Sequence, residues 1–219
     1  MRKVKKQSGF TLVEIAIVLV IIGLLLAGVL KGQELIESSR IKSMAKDLTS
    51  FSAMITSYQD RYRALPGDDS ITANTTYNDR GWTGTFAAST AVDGYIGATT
   101  GATTLMFPTP GVENLLAIQA LRNAGFLEGN RTSTTPPANA AGGSVGFTNN
   151  VLAFGAVNAV CFSGLTGKQA GALDRLLDDG LNTTGSVRAD VAATFTTTIP
   201  TGTAVYSDAT TSVFLCKTL

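Results

Sequence analysis

From Phe10 to Leu30 the chain is an apolar run in which Thr11 and Glu14 are the only polar side chains. At about 1.5 Å per residue, a helix of that length spans a hydrocarbon core of about 30 Å. A short basic leader precedes it, carrying Arg2, Lys3, Lys5 and Lys6. That flank keeps the leader cytoplasmic and sends the chain after Leu30 outward. An ionisable group inside such a segment costs roughly 2.5–3.5 kcal/mol on insertion scales, so Glu14 calls for a partner. A plain membrane anchor has no use for it.

Gly9-Phe10-Thr11-Leu12-Val13-Glu14, set between the basic leader and the apolar run, resembles the type IV prepilin family. That family includes type IV pilins and the pseudopilins of type II secretion, and the likeness continues more loosely to about Tyr62. The resemblance implies that a prepilin peptidase cuts between Gly9 and Phe10 and that Phe10 becomes the N-methylated first residue. It also implies that Glu14 pairs with a neighbouring subunit's terminal amine as a helical homo-oligomeric filament assembles. An inner-membrane assembly platform with a cytoplasmic ATPase would drive that step. The chemistry suits the transfer. A carboxylate in an apolar bundle is tolerated where a cation meets it, and leader removal creates a cation a turn away. Such a pair sets axial register as well as attraction.

Other readings of the N-terminus fit less of it. A secretory signal has a core of 7–15 residues and a small-residue cut site, whereas Ala27-Gly28-Val29 offers no A-x-A pattern. An uncut anchor explains length and charge and leaves Glu14 and the Gly9–Phe10 junction as coincidences. The whole chain has 17 basic and 16 acidic side chains. Without the four leader cations 13 face 16, a net charge of −3. That is no footprint of a general nucleic-acid binder.

Beyond the apolar run the pattern turns amphipathic. Ile41, Met44, Leu48, Phe51, Ile55, Tyr58 and Tyr62 recur at steps of three and four, with Ala45 and Met54 widening the stripe. One helix is therefore expected from about Phe10 to Arg63, its second half laid against a globular head. The expected division is a cleaved cytoplasmic leader (1–9), a transmembrane and assembly helix (10–30), the amphipathic half of that helix (31–63) and a head (64–219). Many pilins carry a proline in or just after the apolar run, but here none precedes Pro66. Lys31-Gly32-Gln33 fills that neighbourhood, and glycine weakens a helix by only about 1 kcal/mol relative to alanine.

Leu65-Pro66-Gly67-Asp68-Asp69 stops the helix. Residues 70–110, rich in Thr, Gly, Ala and Asn, read as a long loop with turns or short strands around Trp82 and Tyr95. Asp68, Asp69, Asp79 and Asp93 lack EF-hand spacing and read as solvated turn acids. A second helix is expected over Val112–Ala124 with Gly125 as its stop, and an exposed loop over Gly129–Gly146. Val151–Phe162 reads as one or two buried strands. A third helix fits Thr166–Asp178, capped by Thr166, with Leu173, Leu176 and Leu177 inward. Strands near Val187–Ala193, Thr203–Tyr206 and Val213–Lys217 complete an antiparallel sheet. The expected fold is α+β and pilin-like, a long N-terminal helix packed on an antiparallel sheet.

Cys161 and Cys216 are the only cysteines, both past the membrane crossing. In an oxidising compartment such a pair forms a disulfide more often than two buried free thiols. A disulfide also matches, by position, the C-terminal bond that commonly bounds a variable loop in pilins. The chain has no histidine, which removes Ser-His and Cys-His pairs and histidine metal sites. Gly164-Leu165-Thr166-Gly167-Lys168 lacks the P-loop spacing. Asp174, Asp178 and Asp179 read as a solvated helix end. No catalytic residue, metal or cofactor is expected.

The favoured function is a structural pilin, stored in the inner membrane as a single-pass precursor with a periplasmic head and polymerised into an extracellular type IV pilus. The alternative is a pseudopilin of a type II secretion or DNA-uptake apparatus, forming a short periplasmic rod. The large head and terminal cysteine pair favour the pilus.

Overall fold

The computed structural model describes residues 11–69, 80–82, 92–97, 112–149, 151–191 and 206–219. Two compact units divide at Arg40 and Ile41. Helix α1, Leu12–Tyr62, contributes to both. No proline interrupts it, and Arg63 ends it by entering the left-handed region at φ 57°. In the first unit every large apolar side chain from Leu12 to Leu30 is exposed. The helix is long and apolar enough there to cross a membrane. Its exposed faces are those of a segment that finds its solvent in lipid or in other helices.

The second unit is built on α1 from Ile41 onward. Met44, Ala45, Leu48, Phe51, Ile55 and Tyr58 are buried, and Ile41, Met54 and Tyr62 pack against the same cluster. This is the stripe expected from the three-and-four spacing. Each large side chain so buried contributes about 1.5–3 kcal/mol.

Four strands form one antiparallel sheet: β1 Val145–Asn149, β2 Asn158–Leu165, β3 Val187–Asp190 and β4 Val213–Thr218, in the order β1-β2-β4-β3. Helix α2, Val112–Asn123, precedes the sheet, and α3, Gly167–Leu177, links β2 to β3. The period of two sorts the strands cleanly. Val145, Phe147, Val160, Phe162, Val187, Ala189, Val213 and Leu215 join α1 in the main core. Phe51 meets Phe147 and Phe162 edge-on, with centroids 5.9 and 6.3 Å apart. Ala159, Cys161 and Cys216 point to the opposite face, where Val151, Leu152, Phe154 and Phe214 pack over them.

Gly67 lets the chain leave α1 close to α2. It stands at φ 88°, and a Cβ there would collide with the Glu113 carbonyl and crowd the Ala117 amide.

Several expectations shift. Of the stretch Val151–Phe162, expected as one or two strands, only the end is a strand: β2 begins at Asn158, and a turn precedes it, with Leu152 and Ala153 at φ 49° and 55°. Val151 and Leu152 are buried because they cover the sheet's second face, not because they extend it. In α3 the inward positions are Ala170, Leu173 and Asp174, with Leu177 alongside, whereas Leu176 is 54% exposed. A 3.6-residue period admits 173, 174 and 177 to one face and turns 176 away. Val145 and Gly146 belong to β1 instead of the loop before it. The Thr203–Tyr206 strand lies outside the described residues except for Tyr206, which sits in a turn.

Candidate functional site

Thr11 and Glu14 form a reciprocal capping box at the start of α1. The Thr11 amide and hydroxyl both donate to Glu14 Oε2 at 2.8 Å, and the Glu14 amide donates to Thr11 Oγ1 at 3.3 Å. Two free amides of the first turn are thus satisfied, and the acid stands at the end of the helix that favours negative charge. Within the chain, Thr11 thus supplies Glu14 with two hydrogen-bond donors. The signal was legible as Thr-x-x-Glu ahead of an apolar run, which is the capping-box pattern. Both residues remain solvent-facing, as do their apolar neighbours Leu12, Val13 and Ile15. The carboxylate can accept further hydrogen bonds from a donor on another molecule. Gly9 and Phe10, the expected cleavage and methylation residues, lie outside the described residues.

In the second unit Cys161 and Cys216 are register partners on β2 and β4 and are joined by a disulfide. Both are fully buried. Arg188, opposite Cys216 on β3, donates from Nη1 to the Leu152 and Ala153 carbonyls at 3.0 and 2.8 Å. Its guanidinium also lies 4.6 Å from the Phe154 ring centre. These contacts hold the β1–β2 turn over the disulfide face.

The turn acids after α1 are not solvated. Asp68 is buried and accepts from the Asp93 and Gly94 amides at 2.9 and 2.8 Å. Burial raises its pKa, against the lowering effect of those two amides. Asp69 is buried against Arg80 and accepts from the Tyr58 hydroxyl at 2.6 Å. Arg80 stacks over Tyr62 at 4.6 Å and Trp82 at 5.2 Å. Asp93 is exposed, and Asp79 lies outside the described residues. Composition hides this arrangement, because a turn acid reads as solvated until a distant amide or guanidinium is placed against it.

Of the helix-end acids Asp179 is exposed and Asp178 half-buried, whereas Asp174 departs from expectation: it is fully buried and accepts from the Tyr206 hydroxyl at 2.7 Å.

The prokaryotic N-terminal methylation motif matches residues 4–30, covering the later part of the basic leader, the Gly9–Phe10 junction, the capping box and the apolar run. Comparison with curated proteins and with solved structures finds no match. The match is confined to the N-terminal segment and does not extend to the head.

Proposed function

We propose that this carrier of the N-terminal methylation motif is a structural subunit that polymerises through its N-terminal helix into a type IV pilus. The observation that carries the reading is the first half of α1, exposed and apolar along its length, with one acid at its head held in a capping box. In the membrane that surface is matched by lipid, and in a filament it is matched by the same surface of neighbouring subunits.

Prepilin peptidase cuts between Gly9 and Phe10 and methylates Phe10. The new ammonium then stands close to the neighbouring protomer's Glu14 as the subunit enters the filament. The inner-membrane platform and its cytoplasmic ATPase extract the subunit, and the periplasmic head becomes the outer surface of an extracellular fibre. Pairing at Glu14 sets the axial position of each subunit, because a carboxylate without a cation in an apolar bundle is costly. The α+β head with its cysteine pair serves as the surface, a structural and not a catalytic part.

Shearing cells and sequencing the released material by mass spectrometry tests the proposal. Long fibres of this chain beginning at methyl-Phe10 are expected. Confinement of the chain to the envelope, with secretion lost on its deletion, would establish a pseudopilin instead. A native chain retaining Met1 would overturn both.

A further inference from the structure

We propose that Gly97, the first turn of α2 and the end of β1 enclose a monovalent-cation site, suited to Na⁺. Its oxygen donors are Asn114 Oδ1, Asn149 Oδ1, Thr148 Oγ1 and the Glu113 carboxylate. Gly97 stands at φ 118°, and the place that a Cβ would take lies 3.2 Å from Asn114 Oδ1, 3.4 Å from Asn149 Oδ1 and 3.7 Å from Thr148 Oγ1. The Gly97 amide donates to Glu113 Oε2 at 2.9 Å, which brings the carboxylate beside the same place. Three neutral oxygens and one acid thus converge where only glycine leaves room.

These groups are enclosed, and their bonding is incomplete. Asn149 is 5% exposed, and its carboxamide makes no hydrogen bond among the described residues; Nδ2 is shut in without an acceptor. Asn114, also buried, donates from Nδ2 to the Phe147 carbonyl at 2.7 Å, and its Oδ1 is shut in without a donor. The Thr148 hydroxyl reaches the Asn149 carbonyl only at 3.4 Å. Oxygens gathered about one place with no donor between them repel one another, and burial removes the water that would separate them. A bound cation turns that repulsion into attraction.

Charge selects the ion. Glu113 is buried and supplies one negative charge, so one positive charge leaves the enclosed set neutral. A divalent ion would bring a second positive charge to the end of α2 whose free amides oppose it. Neutral amide and hydroxyl oxygens with a single acid are a donor set for Na⁺, whereas Ca²⁺ draws on several carboxylates. The surroundings are negative: burial first, and repulsion from Asp93 and Glu113 in addition, raise the Asp68 pKa against the lowering effect of the Asp93 and Gly94 amides. The rest of the segment 92–97 is held by side-chain acceptors, Asp68 taking those two amides and Asn158 Oδ1 taking the Ile96 amide at 2.8 Å. The ion completes that attachment by joining Gly97 to α2 and β1.

The test uses the full chain in detergent micelles, with thermal unfolding read by circular dichroism as NaCl replaces choline chloride at fixed ionic strength. Tm is expected to rise with Na⁺ and to saturate, by about 2–4 °C once Na⁺ exceeds its Kd several-fold. Wild type is not expected to respond to Ca²⁺ at the same ionic strength. Glu113→Gln keeps an acceptor for the Gly97 amide and loses the charge, so its Tm is expected to be the same in the two salts. Asn149→Asp supplies a second carboxylate and is expected to move the response from Na⁺ to Ca²⁺. The proposal fails if wild type unfolds at one temperature in NaCl and in choline chloride; a water, or an Asn149 amide turned to donate to Asn114 Oδ1, then fills the place. It fails equally if Ca²⁺ stabilises wild type more than Na⁺ does, or if Glu113→Gln keeps the full Na⁺ response. Should either variant not fold, the salt exchange on wild type decides alone.

Discussion

Cys161 on β2 and Cys216 on β4 face each other directly across an antiparallel pair, their Cα atoms 4.0 Å apart, and a disulfide joins them at a sequence separation of 55. The strands pair on both sides of this point, from Ala159 with Thr218 to Leu165 with Val213. The sheet thus holds the two sulfurs together before any bond forms. The bond acts mainly on the unfolded chain, where it closes the segment carrying α3 and β3.

Chain-entropy reasoning assigns a loop of this size roughly 4 kcal/mol, and native disulfides commonly deliver about 2–4 kcal/mol. The double substitution Cys161→Ser with Cys216→Ser is expected to lower unfolding free energy by that amount while retaining the sheet. Denaturant unfolding with circular dichroism reads it. Val151, Leu152 and Phe154 cover the bond, so native protein is expected to resist dithiothreitol until the Arg188-held turn opens. Arg188→Ala should quicken reduction, and equal rates in the two proteins would show that the turn does not guard the bond.

Asp69 and Arg80 form the most enclosed ion pair among the described residues, with side chains 0% and 15% exposed. The Tyr58 hydroxyl shares the same carboxylate oxygen and joins the pair to α1. Removing one partner of a buried pair leaves an uncompensated charge and typically costs about 3–5 kcal/mol. Arg80→Met is therefore expected to destabilise by about that much, and Arg80→Met with Asp69→Leu by clearly less. Thermal unfolding of the two proteins gives the comparison, and equal losses would mean that the pair is energetically idle.

What was legible in the sequence was periodic. The steps of three and four from Ile41 to Tyr62 gave the helix and its buried face, because a single helix repeats one geometry for its whole length. The β4 strand was legible for the same reason, and so was the Thr166 cap, whose hydroxyl accepts from Gln169. Local pattern carried nothing about groups brought together by the fold. Asp68 is fixed by amides 25 and 26 residues away, and Asp174 by a hydroxyl 32 residues away. Leu152 failed as a strand residue because covering one face of a sheet and belonging to it select the same apolar side chains. At Glu14 the opposite occurred. The capping pattern Thr11-x-x-Glu14 lies within one helical turn, so the local donor was legible in the sequence.

Asp174 sets a pH dependence whose sign is definite. Its folded pKa is raised above the usual carboxylate value of 3.8, chiefly by burial. Between the unfolded and folded values the native state holds the proton more tightly than the unfolded chain does. Stability from this group is therefore fully present below the unfolded pKa and is lost as pH rises through the folded one. Wild type is expected to lose Tm relative to Asp174→Asn across the mildly acidic range as pH is raised. Parallel Tm curves for the two proteins would show that the carboxyl is not strained by its burial.

Glu14 joins the local and the intermolecular chemistry. Its capping box with Thr11 supports the helix start locally and counts for little beside the hydrophobic insertion of the run that follows. Glu14→Val is therefore expected to leave the precursor in the membrane fraction at normal amount, and cleaved after Gly9. Fibre yield after shearing should instead fall to a small fraction of wild type, because the incoming ammonium meets no acid. Thr11→Ser, which keeps the capping hydroxyl, should assemble nearly as wild type. Thr11→Val leaves the acid with a single amide donor and should assemble more slowly. Electron microscopy of sheared material, set against immunoblots of the membrane fraction, separates the two steps. Abundant fibres from Glu14→Val would remove the acid from assembly and leave it the capping role alone.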